Sequence, residues 1–289
     1  MDGKDAMTLL DLDVDAVEQS LRAGTQWPGP DVFRHIGYLR TVYYAATFAA
    51  QYFPATNITS TGPKDVRTVL TGIGEMIAIA EQLYQLNERG IPGGVVECGC
   101  YKGFSTSVLS VACSLIGRPL DVYDSFQGLP PSSSSYYRAG DFAGSLDEVR
   151  QHVSAFGRPD AVRYHPGFFS DSIPRRTPAP IAILWLDVDL ADSARDALRL
   201  MADLDPRGTL FTHECVPELF DSSGHLVPRG GPDDVIAPIV EAFAHAGRGL
   251  HGTFLTGNLG ACWDPQTGIP VVSQAAVERL LHLAVFGAS

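Results

Sequence analysis

Residues 95–107 read Val-Val-Glu-Cys-Gly-Cys-Tyr-Lys-Gly-Phe-Ser-Thr-Ser, and the organisation of the chain follows from them. The apolar start predicts a β-strand that ends at Glu97, and the glycines that follow, Gly99 and Gly103, predict a sharp turn into a helix. Glycine suits such a turn because it adopts positive φ angles and lets a ligand approach the backbone. The stretch is therefore a strand–turn–helix unit at which a ligand could bind.

The helix after this turn is expected to begin at Ser105 or Thr106, whose hydroxyls can cap its first N–H groups. Exposed N–H groups at a helix start favour a ligand with a carboxylate or another anionic group. The spacing Glu-x-Gly-x-x-x-Gly differs from the Gly-x-Gly-x-x-Gly of dinucleotide sites. It resembles the first motif of Rossmann-like S-adenosylmethionine (SAM) methyltransferases. A tight turn that binds nothing is the alternative at this point.

Downstream of this unit, short apolar runs alternate with amphipathic segments, which is typical of a parallel sheet with helices on both faces. The predicted strands cover residues 94–97, 119–123, 161–164, 181–186, 209–212, 253–255 and 260–263. The predicted helices cover residues 105–116, 145–156, 192–204, 233–246 and 274–285. We therefore expect an α/β, Rossmann-like domain built on a seven-stranded, mostly parallel sheet.

The first 70 residues lack this alternation and are expected to form a helical N-terminal extension, with the α/β domain over residues 71–289. Residues 33–53 form an aromatic-rich helical pattern, and residues 54–63 have the composition of a linker. Aromatic stripes usually pack in a core, so we expect this helix to pack on the main domain or on a partner subunit. A lid or oligomerisation arm is the alternative, and we expect a homo-oligomer, a dimer or larger.

Composition restricts the partners. The formal charge of −12 and the lack of any Lys/Arg-rich run argue against binding to nucleic acid or to an anionic membrane surface. The five cysteines are odd in number and lie mostly in apolar runs, which fits a reducing cytosol better than a disulfide framework. The sequence shows no signal-peptide pattern and no apolar stretch long enough to span a bilayer. We expect a cytoplasmic protein with a small-molecule acceptor.

Polar residues follow the predicted strands at the points where the strands end. They are Glu97, Asp124, Asp187 with Asp189, and His213 with Glu214. Because the carboxyl ends of parallel strands meet at one edge of a sheet, we expect these side chains to converge on one ligand site. Asp124 lies where a carboxylate commonly accepts hydrogen bonds from a ribose diol, with a turn aspartate as an equal alternative. Glu97 either holds the ammonium end of the same ligand or is simply the polar end of its strand.

Asp187 and Asp189 are two residues apart, so an extended backbone would put both on one face. Buried carboxylates side by side need a cation, a proton or a hydrogen-bonding substrate between them. A hard cation such as Mg²⁺ takes oxygen ligands, and Glu214 would complete such a site from the next strand. One alternative is that Asp189 caps the following helix. Another is that Asp187 pairs with Arg195 or Arg199.

Four further stretches carry a more specific pattern. They read Val-Tyr-Asp-Ser-Phe-Gln-Gly-Leu-Pro at residues 122–130, Ser-Leu-Asp-Glu-Val-Arg at 145–150, Gly-Phe-Phe-Ser-Asp-Ser-Ile-Pro at 167–174, and Leu-Asp-Val-Asp-Leu-Ala-Asp-Ser-Ala-Arg-Asp-Ala-Leu at 186–198. Together they resemble the macrocin O-methyltransferase family over residues 72–214. Members of that family methylate sugar hydroxyls of macrolides and related glycosylated natural products, using SAM and usually Mg²⁺. The resemblance implies a class I SAM methyltransferase fold and an O-methyltransferase of antibiotic or other secondary metabolism.

The resemblance also implies roles for individual residues. Glu97, Gly99 and Gly103 would line the methionine end of SAM, with Ser105 a further cofactor contact; Asp124 would hold the ribose, Ser125 and Phe126 would lie near the adenosine, and Asp171 would contact the adenine. Asp187 would bind the metal, and Asp189 would be the general base that takes the proton from the sugar hydroxyl.

The chain departs from the family where the fifth strand ends. The family has paired aspartates there after Pro-Gly-Gly, whereas this chain has Pro-Arg-Gly at residues 206–208 and then His213 and Glu214. Neutral histidine suits Zn²⁺, Mn²⁺ or Fe²⁺ better than Mg²⁺. Three outcomes are open: a metal held by Asp187, His213 and Glu214, a metal-free site with His213 as the base, or a different reaction. Retention of the metal is slightly favoured.

Two other functions remain open at this point. One is a phenol or catechol O-methyltransferase, in which adjacent oxygens chelate the cation, and the other is a degenerate SAM-binding protein without turnover. Two loops are expected to shape the acceptor pocket, residues 130–142 after the ribose candidate and residues 220–234 after the metal candidates.

Overall fold

The computed structural model describes residues 30–53, 72–174, 177, 179–221, 225–273, 275–279 and 282. In chain order the elements are α1 (Pro30–Tyr52), α2 (Gly72–Glu88), β1 (Gly94–Cys98), α3 (Phe104–Leu115), β2 (Leu120–Asp124), α4 (Leu146–Phe156), β3 (Val162–Pro166), α5 (Phe169–Ser172), β4 (Ile181–Leu186), α6 (Ala191–Ala197), β5 (Leu204–Thr212), α7 (Ile236–His245), β6 (His251–Thr256) and β7 (Leu259–Trp263). Three 3₁₀ turns lie at Pro159–Ala161, Leu198–Ala202 and Pro217–Leu219. The first 29 residues of the extension, the predicted linker and most of the predicted helix at 274–285 lie outside the described residues.

The sheet has seven strands in the order β3-β2-β1-β4-β5-β7-β6, with β7 antiparallel to both of its neighbours. This confirms the predicted seven-stranded, mostly parallel sheet. The registers align the ends of the central strands, because Cys98 pairs with both Tyr123 and Leu186, and Leu186 pairs with Thr212. The residues that follow these four strands therefore lie along one edge of the sheet.

Helices cover both faces of the sheet, and one apolar layer lies between the sheet and the helices on each face. In strand β4 every residue is buried, as expected for a central parallel strand covered on both sides. Ile183 and Trp185 pack on the face covered by α1 to α4, whereas Leu184 and Leu186 pack on the opposite face with α6 and α7. This alternation explains why the strand reads as one continuous hydrophobic run.

Helix α1 packs on the sheet domain through α2 and α3. Leu39, Val42 and Ala46 are buried in the same core cluster as the central strands. A buried polar contact joins the helices, since Nε2 of His35 lies 2.5 Å from Oε2 of Glu81 on α2. The predicted boundary near residue 70 stays a prediction, because the chain between the two helices lies outside the described residues.

Two element boundaries differ from the sequence prediction. Strand β5 begins at Leu204 rather than at residue 209. Leu204 pairs with Ile181 and Thr209 with Ile183, so the Asp-Pro-Arg-Gly stretch between them is an insertion at which the register shifts. The helix expected over 192–204 ends at Ala197 and continues only as a 3₁₀ turn to Ala202.

All five cysteines are free and buried. Within the described residues, no helix is both long and apolar enough to cross a bilayer.

Candidate active site

A cavity of about 1000 Å³ opens at the carboxyl edge of the parallel strands. Residues that directly follow or end β1, β2, β4 and β5 line it, namely Gly99, Asp124, Asp187 and His213. The aligned strand registers bring these residues together although they are far apart in sequence. Asp189 and Glu214 line the same cavity, so all the candidate metal and base residues face one space.

The glycine turn brings strand β1 against the segment that carries Asp187. Gly99 has φ +87°, and a Cβ atom there would lie 1.9 Å from the backbone oxygen of Asp187. Gly103 also has a positive φ, +85°, and it directly precedes helix α3. Only glycine fits the first position, because a side chain would collide with the next strand as well as strain the backbone.

The predicted cap at the start of α3 is wrong. The helix begins at Phe104 after Gly103 and has no side-chain cap. The hydroxyls of Ser105 and Thr106 instead donate to the two carboxylate oxygens of Glu97. A fully buried carboxylate requires such donors, and the two hydroxyls are directed to Glu97 rather than to the first N–H groups of α3.

Glu97 is completely buried beneath the cavity and is outside its lining residues. Burial raises its pKa to about 8, although the hydrogen bonds from Ser105 and Thr106 lower it in part. Its carboxylate thus joins the end of β1 to the start of α3. Because Ser105 does line the cavity, Glu97 can influence a ligand there through that hydroxyl.

Asp124 is a turn aspartate that also lines the cavity, and its role in holding a ribose stays a prediction. Its Oδ1 accepts the N–H of Phe126 at 2.7 Å, as in an aspartate turn, and its Oδ2 accepts the N–H of Cys100 at 2.8 Å. Burial raises the pKa of Asp124, whereas these backbone hydrogen bonds lower it. A carboxylate has about four acceptor sites, and Cys100, Tyr101 and Phe126 already donate to this one, so a ligand in the cavity that Asp124 lines would share those sites with the protein's own donors.

Of the three candidate adenosine residues, one lines the cavity and two do not. Ser125 lines the cavity, together with Phe169 and Ser170 from the start of α5. Phe126 and Asp171 are outside the lining residues, and Asp171 is exposed. Ser125 and Ser170, which directly precede Phe126 and Asp171 in the chain, therefore line the cavity in their place.

Asp187, His213 and Glu214 form a cluster that could hold a metal ion. One ligand atom from each residue lies within 4.8 Å of the other two, and Nδ1 of His213 lies 3.6 Å from Oδ1 of Asp187. Burial raises the pKa of Asp187, the neighbouring His213 lowers it, and Glu75 raises it further. Burial also raises the pKa of Glu214. Two carboxylates and an imidazole suit a divalent transition metal ion.

Both structural alternatives for the paired aspartates are wrong. Arg195 pairs with Asp192 at 2.8 Å, and Arg199 donates to backbone carbonyls that include that of Phe169. Helix α6 begins without a side-chain cap, so Asp189 does not cap it. The backbone at Asp189 is also not extended, since its φ is +59°. The kink still leaves Asp187 and Asp189 facing the same cavity.

Burial and neighbouring carboxylates, first that of Glu214, raise the pKa of Asp189 well above its usual value. A hydrogen bond from Tyr137 lowers this pKa in part. Tyr137 belongs to the loop over residues 130–142, and its ring packs against that of Phe142, with centroids 6.0 Å apart. This predicted pocket loop does line the cavity, and Tyr137 contacts the candidate base directly.

The second predicted loop, residues 220–234, shapes a smaller neighbouring cavity of about 400 Å³. His213, Glu214 and Asn258 line both spaces, so the two cavities meet at the candidate metal ligands. Residues 222–224 of this loop lie outside the described residues.

Glu75 of helix α2 is the site residue that the sequence analysis missed. Its side chain is 2% exposed, and its Oε2 lies 3.3 Å from Nε2 of His213. Burial lowers the pKa of His213, but Asp187, Glu75 and Glu214 outweigh it and raise that pKa to about 10. Glu75 does not follow a strand, so a search for polar residues at the ends of predicted strands could not find it. The available signal was an acid within an otherwise apolar helical run, Gly-Ile-Gly-Glu-Met-Ile-Ala-Ile-Ala.

Comparison with known proteins identifies the family to which the chain is similar. A family model described as "Macrocin-O-methyltransferase (TylF)" matches residues 38–211. Over 134 residues the chain is 33% identical to an 8-demethyl-8-(2,3-dimethoxy-alpha-L-rhamnosyl)-tetracenomycin-C 4'-O-methyltransferase of Streptomyces olivaceus, covering 41% of this chain and 51% of the relative. It is 30% identical over 169 residues to mycinamicin III 3''-O-methyltransferase of Micromonospora griseorubida, covering 52% of this chain and 66% of the relative. The matches thus span about half to two thirds of the length of these curated relatives.

The solved structure of the O-methyltransferase NovP is similar in fold, with a TM-score of 0.54 at 22% sequence identity. The match covers 68% of this chain and 81% of that chain. The fold is therefore that of a class I SAM methyltransferase, as the sequence predicts. The family model covers more than half of the chain and includes most of α1, all of α2 and strands β1 to β4, and most of β5. The protein belongs to the macrocin O-methyltransferase family.

Proposed function

We propose that this protein is a SAM-dependent O-methyltransferase that acts on a hydroxyl of a small-molecule natural product, in the first place a sugar hydroxyl. The observation that carries this proposal is the single cavity into which Asp124, Asp187 and Asp189 all open. The names of two relatives support a sugar hydroxyl as the acceptor, since one is a 4'-O-methyltransferase of a rhamnosyl compound and the other a 3''-O-methyltransferase.

The residues around the glycine turn fit SAM. A cavity of about 1000 Å³ is large enough for SAM together with an acceptor, because ligand sites commonly measure about 300–1000 Å³. Asp124 lines the cavity as the candidate acceptor for a ribose diol, and Ser105 and Ser125 provide hydroxyls at the same wall. When bound, SAM would supply an electrophilic methyl group on its sulfonium. The cavity walls would hold the acceptor oxygen in line with that group.

Asp189 is the group we assign to the proton of the acceptor hydroxyl. A raised pKa makes a carboxylate a better proton acceptor near neutral pH, and both burial and Glu214 raise that of Asp189. Tyr137 donates a hydrogen bond to the same carboxylate, so the loop over residues 130–142 orients the base. His213 is the alternative base and reaches the cavity beside Asp187, but its raised pKa, about 10, means that it must first lose a proton to act as one.

A divalent cation fits the cluster of Asp187, His213 and Glu214, and we propose that these residues hold one. It would stabilise the negative charge that develops on the acceptor oxygen. The imidazole favours Mn²⁺ or Zn²⁺ over Mg²⁺.

Calorimetry with SAM and with S-adenosylhomocysteine tests the cofactor site directly. Methyl transfer is then measured by mass spectrometry with a panel of glycosides, phenols and catechols, each with and without EDTA and with Mg²⁺, Mn²⁺ or Zn²⁺ restored. We expect micromolar binding of SAM and methylation of a glycoside. Methylation of catechols alone would replace the sugar assignment, and SAM binding without any product would indicate a degenerate binding protein.

We also propose that the protein forms a homo-oligomer through the outer face of α1. Tyr44, Phe48 and Tyr52 are spaced four residues apart and are 53%, 61% and 47% exposed. Such an apolar stripe is favoured at protein interfaces. Light scattering after size exclusion should give a mass above 31.0 kDa, and Phe48→Asp should reduce it to that of one chain. A monomeric wild-type protein would contradict this assignment.

A further inference from the structure

Glu75 lies in the first turn of α2, where its carboxylate has two partners and almost no contact with solvent. Its Oε1 accepts the N–H of Asn258 at 2.9 Å, and its Oε2 lies 3.3 Å from Nε2 of His213. Asn258 is in the turn between β6 and β7, so the carboxylate is fixed from one side by backbone and directed to the histidine from the other.

This contact determines which ring nitrogen of His213 faces the cavity. Nε2 points to Glu75, and Nδ1 lies 3.6 Å from Oδ1 of Asp187. The indole of Trp185 packs near-perpendicular to the imidazole, with ring centroids 6.0 Å apart. A carboxylate that accepts one ring N–H fixes both the tautomer and the orientation of a histidine.

A purely structural role explains the position of Glu75 poorly. An acid in the first turn of a helix interacts favourably with the helix dipole, but it gains this at the surface as well. Burial of an ionised carboxylate is costly unless it is paired and hydrogen-bonded. Two partners meet that need here, a backbone N–H and the histidine at the candidate active site.

We propose that Glu75 is a positioning residue, which holds His213 with Nδ1 facing Asp187 and the cavity. Nδ1 is then the nitrogen that would, once deprotonated, bind a metal ion or act as a base. The role in turnover rests on the proposed methyltransferase function, whereas the orientation of the ring does not.

The experiment uses the full-length chain and the variants Glu75→Gln, Glu75→Asp and His213→Ala, with the double variant Glu75→Gln/His213→Ala. Glu81→Gln is the matched control, because Glu81 is also a buried acid of α2 that pairs with a histidine, His35, away from the cavity. Turnover and the KM for SAM are measured for each protein. NMR of histidine-labelled protein gives the ring signals of His213, which are identified by their loss in His213→Ala.

We expect Glu75→Gln to lower kcat by about 10–100-fold, as is typical when the partner of a working histidine is removed, with the KM for SAM within about twofold. The same substitution should change the residual turnover of His213→Ala by less than about twofold, since Glu75 then has nothing to position. The His213 ring signals should shift in Glu75→Gln and Glu75→Asp and stay in place in Glu81→Gln.

An equal loss of kcat in both backgrounds would overturn the proposal, and so would unchanged His213 ring signals in a folded Glu75 variant. If His213→Ala has no measurable turnover, the ring signals decide. If wild-type protein binds no SAM and methylates nothing, the proposed function fails, but the ring signals still test the role of Glu75.

Discussion

Replacing Gly99 by alanine tests the link between the glycine turn and the reacting end of the cavity. The new methyl group would lie 1.9 Å from the backbone oxygen of Asp187, whereas an ordinary contact needs at least 3.4 Å. The β1 turn and the Asp187 segment must therefore move apart by about 1.5 Å. The carboxylate of Asp187 lies on that segment, so the substitution displaces a side chain that lines the cavity without changing its chemistry.

Two costs add up in this variant. The positive φ of Gly99 costs about 1–2 kcal/mol for an alanine, and forcing a methyl group into a packed position costs about 1–3 kcal/mol more. A displacement on the order of 1 Å in a catalytic site can reduce turnover about 100-fold. We expect both a lower urea midpoint and a kcat reduced by about 100-fold at a temperature where the variant is folded.

Gly117→Ala is the matched control. Gly117 has φ +70°, but a Cβ atom there would meet nothing within 4 Å, so this variant carries the backbone strain without the collision. It should lose about 1–2 kcal/mol of stability and retain its turnover. The reasoning is refuted if Gly99→Ala, once folded, turns over as fast as Gly117→Ala, because the close approach of the two strand ends would then not position Asp187.

Further substitutions separate cofactor binding from chemistry. Asp124→Asn should weaken SAM binding by about 10–100-fold in calorimetry, because hydrogen bonds to a charged acceptor contribute about 1.5–3 kcal/mol. Asp187→Ala should abolish turnover and leave the affinity for SAM within about twofold, and near-wild-type activity would exclude a metal or electrostatic role for it. Tyr137→Phe should lower kcat by about tenfold in product assays, through loss of the hydrogen bond that orients Asp189. Below pH 8, the affinity for Mn²⁺ should rise by about tenfold for each unit by which the pH increases. The reason is that binding must release the proton on His213, whose pKa the neighbouring carboxylates raise. An affinity that does not depend on pH would show that His213 is not a ligand.

The stability of the protein without a metal ion should depend on the same proton, but it should fall as the pH rises, whereas the affinity for Mn²⁺ increases. The pKa of His213 is about 10 in the folded chain, against an ordinary value of 6.5. Its contribution to stability is therefore fully present below pH 6.5 and is lost as the pH rises through about 10.

The sheet could be predicted from the sequence because buried parallel strands are continuous apolar runs with polar residues at their ends. Strand β4 was located to the residue, Ile181–Leu186, and the acid that follows it faces the cavity as expected. Strand β5 was predicted five residues too short, because Pro206 and Gly208 are typical turn residues; in the structure they lie in an insertion between two stretches of β5 that both pair with β4.

The candidate site was predictable where it depends on strand ends and unpredictable where it depends on tertiary packing. Asp124, Asp187 and His213 reach the cavity because register alone puts strand ends on one edge. Glu75 and Tyr137 reach it from a helix and a loop, and no local pattern fixes where a helix packs or how a loop folds back. The residues to which the resemblance assigns roles lie in segments that line the cavity, but which residue of a segment faces the cavity depends on the backbone, as at Asp171, which is exposed beside Ser170.

The histidine changes the charge balance of the site as well as its ligands. In the family pattern, paired aspartates at the end of the fifth strand leave only a bound cation to offset the carboxylates around them. Here His213 lies between Glu75 and Asp187, and as an imidazolium its single positive charge offsets one of these two carboxylate charges without any ion. A divalent cation at this cluster must displace that proton, so proton and metal are alternative occupants of one electrostatic position. The proton on His213 and a cation at this cluster would thus each offset part of the carboxylate charge, which is the electrostatic consequence of carrying His213 and Glu214 in place of two aspartates.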